Sequence, residues 1–304
     1  GTGTVTFDGL GGGAVTFGTA TTGTGAIDLE NAGALTVGTS VTAGGAANVL
    51  LTTTAGGVTL TGTTSAVGDT VTVTSAGAID GAGLVTAATI DLNAVTGIGA
   101  TTALELAGGT LTIDTTNGNV DVDNALGTAV GVTTLTTGAG TITFDASGAG
   151  AVTLGTVSTG TGAIAITSVS DLTVGTSVTA GGAQNASLTT TTGNVILTGT
   201  TTATGATATI TSAGNVTGAG LVTGNAVVMT AATGIGTGVG GRVNTTAGTL
   251  DLSVTSAGSM FINETDGVTL TAIDAANGAI DIVTGGADGG DQHHLDHRQR
   301  CPTT

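Results

Sequence analysis

The side chains able to do chemistry are few, and most of them crowd one end of the chain. His293, His294, Asp296 and His297 have the identities and the compact spacing of transition-metal ligands, and Cys301 follows as a lone thiol that could cross-link two chains. Upstream, Asp121 and Asp123 alternate beside Asn119 and Asn124, and Asn263, Glu264 and Asp266 form a second acidic corner. Hard oxygen donors of this kind suit calcium. Asp121, Asp123, Glu264 and Asp266 are therefore the candidate metal ligands. The competing reading is of solvated, outward carboxylates and no cofactor. Neither corner matches the glycine-rich nonapeptide of calcium-binding β-rolls, and Gly285-Gly286-Ala287-Asp288 echoes it only in part.

Acid–base chemistry has little to work with. Arg242 is the one cation before the terminal stretch, and neither Lys nor a Ser-His-Asp set is present. A carbohydrate-active β-helix enzyme would need clustered carboxylates with a basic partner, and sugar-stacking aromatics are scarce: no Trp, no Tyr and four Phe. The expectation is of a protein that is not an enzyme. A net charge of −17 also argues against nucleic acid and anionic membrane, both of which require Lys and Arg. No apolar run reaches the roughly 20 residues of a membrane-spanning helix.

The elements that must position these groups repeat. Residues 1–99 return as 138–236 with over half the positions identical, and Gly38-Thr39-Ser40-Val41-Thr42-Ala43-Gly44-Gly45-Ala46 recurs unchanged at 175–183. Apolar pairs two residues apart run throughout, among them Val5/Phe7, Val15/Phe17, Ile27/Leu29, Val58/Leu60, Leu111/Ile113, Val120/Val122 and Ile142/Phe144. That is the period of a strand with one face buried. With 57 Gly, about a quarter Thr and a single Pro, the chain favours short strands, tight corners and unbroken ladders over helix. Hairpin dipeptides are scarce, Asn117-Gly118 and Asn277-Gly278 being among the few. The pattern predicts an all-β, right-handed parallel β-helix (a β-solenoid) of thirteen to fifteen coils of about 20 residues. Val, Ile and Leu would fill it and Thr, Gly and Asp would face water. The expected divisions are one repeat unit at 1–137, a second at 138–288 and an atypical tail at 289–304.

Gly13-Ala14-Val15-Thr16-Phe17, Gly25-Ala26-Ile27-Asp28-Leu29 and Gly57-Val58-Thr59-Leu60-Thr61 resemble the β-strand repeats of filamentous-haemagglutinin-type bacterial exoproteins, over nearly all of residues 1–286. The resemblance implies a secreted, extracellular or cell-surface fibre used in adhesion or biofilm matrix. Such a fibre would associate end to end or with flanking repeats of the same protein, and would meet cell surface or matrix polysaccharide. The repeat is under way at Thr4-Val5-Thr6-Phe7, so the chain is read as a mature piece or a fragment. An alternative is ice binding, suggested by Thr4-Val5-Thr6, Thr70-Val71-Thr72, Thr110-Leu111-Thr112 and Thr141-Ile142-Thr143, although these do not recur once per coil.

From Asp291 the vocabulary changes, near residue 289, where a third copy is expected to begin. Codons for this tail, read one nucleotide later, can spell Ser, Thr, Ile and Gly, so the tail is read as an out-of-frame continuation. A gene sequence with an intact frame and a stop after Thr304 overturns that reading.

Overall fold

A computed structural model describes residues 1–285; His293, His294, Asp296, His297 and Cys301 lie outside the described residues. Every regular element described is a strand, and every pairing described is parallel, in about 13 coils of about 22 residues: a β-solenoid. The chain folds as two compact units, Gly1–Gly150 with Thr156–Gly162, and Ala151–Gly155 with the chain from Ala163 onward.

Unit 1 opens with β1 (Val5–Gly9), β2 (Val15–Thr21), β3 (Ile27–Asn31), β4 (Leu35–Ala43), β5 (Val49–Thr53), β6 (Val58–Leu60) and β7 (Thr63–Ser75). It continues with β8 (Ile79–Asp80), β9 (Val85–Ala94), β10 (Leu104–Thr115), β11 (Val120–Asn124), β12 (Val130–Thr137) and β13 (Ile142–Ala146). Three ladders run along it. The first joins β1, β3, β5, the later halves of β7, β9 and β10, and β12. The second joins β2, β4, β6, β8, the bridge residue Ile98, β11 and β13. The third joins the ends of β2 and β4 to the early halves of β7, β9 and β10, and then to β11. Inward positions align as columns; Ile27, Val49, Val71, Ile90 and Leu111 form one, all fully buried or nearly so. Each such side chain contributes about 1.5–3 kcal/mol by leaving water.

At β11 the second and third ladders merge into one straight strand. β13 repeats the sequence of β1 (Ile142-Thr143-Phe144-Asp145 against Val5-Thr6-Phe7-Asp8), yet it stacks on β11, in the ladder opposite to that of β1. The chain between them therefore makes an odd number of half-turns.

Unit 2 contains β14 (Val152–Thr159, whose end belongs to unit 1), β15 (Ile164–Ser168), β16 (Leu172–Ala180), β17 (Ala186–Thr190), β18 (Val195–Leu197), β19 (Thr200–Ser212) and β20 (Asn215–Thr217). It ends with β21 (Leu221–Ala231), β22 (Gly234–Ile235), β23 (Val243–Val254), β24 (Met260–Glu264), β25 (Thr269–Ala275) and β26 (Ile280–Thr284). Again two ladders merge in one strand, β24, which pairs with both β22 and β23 and carries β26. β26 sits on β24 as β13 sits on β11, so a third round of the repeat begins near Ile280, where the 137-residue spacing of the first two copies places it, and not at residue 289.

The Thr exterior holds only in part. Thr53, Ser75, Thr115, Thr137, Thr190 and Ser212 end their strands facing inward and buried. Several hand their hydroxyl to the carbonyl three residues on, as Thr53 Oγ1 does to Gly56 O at 2.5 Å, Thr190 to Gly193 at 2.7 Å and Ser212 to Asn215 at 2.9 Å. This side-chain bond closes the corner in place of a backbone turn. Thr64 and Thr201, which occupy equivalent places in the two copies, are buried with an Oγ1 that has no partner. The same substitution should then act with opposite signs. Thr53→Val is expected to destabilise by about 1 kcal/mol, and Thr64→Val to stabilise by a similar amount, read from denaturant midpoints.

Candidate functional site

β11 carries Asp121 and Asp123 on its outward face, because Val120, Val122 and Asn124 take the inward positions of the alternation. The parallel register then stacks like on like. Glu105 of β10, Asp123 and Asp145 of β13 occupy consecutive rungs. Ser147 Oγ donates to Asp123 Oδ1 at 2.6 Å, and Asn119 Oδ1 accepts from the Thr141 amide at 3.0 Å. Desolvation, and next the negative charge of Asp123, raise the Asp145 carboxyl above its ordinary range. Glu105 and Asp145 were not visible as partners of Asp123 in the sequence, since they lie 18 and 22 residues away; a coil length of about 22 residues is the signal that joins them.

The second corner is a different object. Glu264 is not an outward carboxylate but is fully buried at the end of β24. Its Oε2 accepts from Thr245 Oγ1 at 2.6 Å, and its Oε1 from the amides of Ala247 and Thr265, each at 3.1 Å. Burial raises its pKa most. A side-chain contact with Asp266 pushes the same way, while the bonds from Thr245 and from the backbone of Ala247 and Asp266 pull back. Asn124 holds the corresponding place in unit 1, its Oδ1 accepting from the Gly108 amide and its Nδ2 donating to the Gly108 carbonyl, both at 3.0 Å. Both side chains tie the merged strand to the corner of the rung before it. Asp266 is exposed.

Among the described residues, no group of three or more His, Cys, Asp or Glu is placed to hold a metal ion. Arg242 sits in the Thr237–Arg242 turn and bonds outside it: Nη2 meets Asp281 Oδ2 at 2.6 Å, and Nη1 reaches the carbonyls of Ile262 at 3.2 Å and Asp281 at 2.9 Å. It clasps β24 and β26 together. Arg242→Ala should loosen β26 selectively, with faster amide exchange over Ile280–Thr284 and little change over β16–β19.

The Thr-x-Thr segments of unit 1 do not build a regular array. The outward column through Thr6 runs Asp28, Leu50, Thr72, Asp91, Thr112 and Thr134. Unit 2 does carry a hydroxyl column one residue wide, Thr167, Thr189, Thr211, Thr230 and Ser253. Among the described residues, no helix is long and apolar enough to cross a membrane. Comparison of the chain with protein-family models, with curated proteins and with solved structures returned no match.

Proposed function

We propose that this chain is a segment of an extracellular β-solenoid fibre serving cell-surface adhesion or biofilm matrix, in the manner of the filamentous-haemagglutinin-type repeats it resembles. The observation that carries the reading is the reusable seat: β11 receives β13, and β24 receives β26, through the same merged-strand geometry. A coil that recreates the surface on which the next block is laid lets the architecture extend without a new design. Open strand edges would pair either with flanking repeats or with further chains. The work of such a protein is mechanical and non-catalytic, and calcium would serve it as a bridge between carboxylates.

Electron microscopy of the native material, with the intact denatured mass, tests this. Long fibres from chains of 28.2 kDa mean polymerising subunits, and fibres from a far heavier polypeptide mean a stretch of a giant adhesin. Isolated short particles overturn both. The hydroxyl column of unit 2 favours ice binding as the second reading; thermal hysteresis in a cooled solution is its signature, and freezing without hysteresis removes it.

A further inference from the structure

The long strands of each unit turn a corner where the register slips, and the slip differs from rung to rung. β7 bulges by three residues at Val67-Gly68-Asp69, with Gly68 at φ +84°, whereas β9 and β10 bulge by one, at Ala88 and Gly109. The short bulges recede behind the long one and leave an open notch of about 470 Å³, closed on its far side by Leu126. Unit 2 repeats the device. Thr204-Gly205-Ala206 overhangs, with Gly205 at φ +77°, Asn225 and Gly248 recede, and Asp266 closes a notch of about 250 Å³.

The backbones of the two notches correspond, but their linings do not. Val67, Ala88, Ala107 and Leu126 in unit 1 are answered by Thr204, Asn225, Thr246 and Asp266 in unit 2. These four differences each replace a hydrocarbon by a hydrogen-bonding group, while Thr86 and Thr223 line the two notches alike and Gly224 stands where unit 1 has Ala87. Gly205, Gly224 and Gly248 complete the lining. Thr246 is held by its hydroxyl contact with Thr265 at 2.5 Å, and the Ala247 amide behind it is held by buried Glu264.

We infer that the unit 2 notch binds a neutral hexose unit of a polysaccharide. Hydroxyl, amide and carboxylate groups line it together, as ring hydroxyls require. The charge selects a neutral sugar: Asp266 stands at the rim, and the one cation among the described residues, Arg242, is engaged with Asp281. With no aromatic platform a single site is weak. This rests on the adhesive reading above by naming the class of surface it would engage.

The test is saturation-transfer NMR on the whole chain with cellohexaose, mannohexaose and chitohexaose, and with a hexagalacturonate as the anionic control. At least one neutral hexasaccharide should bind with a Kd of about 1 mM, and the hexagalacturonate should not. Asn225→Ala with Asp266→Leu installs the residues that unit 1 carries at these places, so the fold tolerates their shapes; binding should weaken about tenfold while the melting curve confirms folding. Thr204→Val, at the opposite wall, should weaken it separately. Absence of neutral-sugar binding below 10 mM, or undiminished binding by these variants, overturns the site. Fibres seen by microscopy alongside such a result would leave the structural reading standing, so the two failures are distinguishable.

Discussion

Gly140→Ala is expected to cost roughly 4 kcal/mol, the sum of positive-φ strain and overpacking at about 1–3 kcal/mol each. Gly140 lies at φ +144° in a column with Gly118 (φ +95°) and Gly162. A Cβ on Gly140 would lie against the Gly118 carbonyl oxygen, as one on Gly162 would lie against that of Gly140. In a parallel solenoid the corners stack as closely as the strands do, so a methyl group at this point pushes successive rungs apart. Gly131→Ala is the control. Its backbone is not in the left-handed region, and a Cβ there would meet only the Gly109 carbonyl oxygen, at 4.0 Å. It should change stability by less than 1 kcal/mol, and in the stabilising direction. Denaturant melts measure both. Equal losses would mean that the corners have room and that the glycines are there by composition alone.

Glu264→Ala should be the second large loss, roughly 3 kcal/mol or more. It strands three donors, Thr245 Oγ1 and the amides of Ala247 and Thr265, and opens a hole at a fully buried position. Glu264→Gln keeps oxygen and shape and sheds the charge, much as Asn124 does in unit 1, so at pH 7 it should be neutral or stabilising. The pH dependence follows in sign. A carboxyl whose folded pKa is raised penalises the fold while it is ionised, and the penalty is relieved as the pH falls through the folded value. Glu264 and Asp145 are both raised, so the melting temperature should climb on acidification from neutral pH into the carboxylate range. Relief of the net charge of −17 acts in the same direction. In Glu264→Gln the climb should be smaller, and a melting temperature independent of pH in the parent chain would contradict the assignment.

The sequence by itself determined the class of fold. A period of two is written locally, in pairs such as Val58/Leu60 and Leu111/Ile113, and those residues are indeed inward and buried. Duplication showed that like units are laid on like. Only the tertiary structure decided what depends on the rung above and the rung below. Residues about 22 apart become neighbours, so Glu105, Asp123 and Asp145 form one column. Glu264 is drawn inside although its two-residue spacing from Asp266 looked like a surface corner. Threonine was the least legible residue, since one side chain serves the wet face of a strand at Thr72, a corner bond at Thr53 and an unpaired interior place at Thr64. The side to which each copy turns was hidden for the same reason. Whether a block contains an odd or an even number of half-turns depends on where two ladders merge, at Val120–Asn124, and strand pairing, not local preference, sets that point.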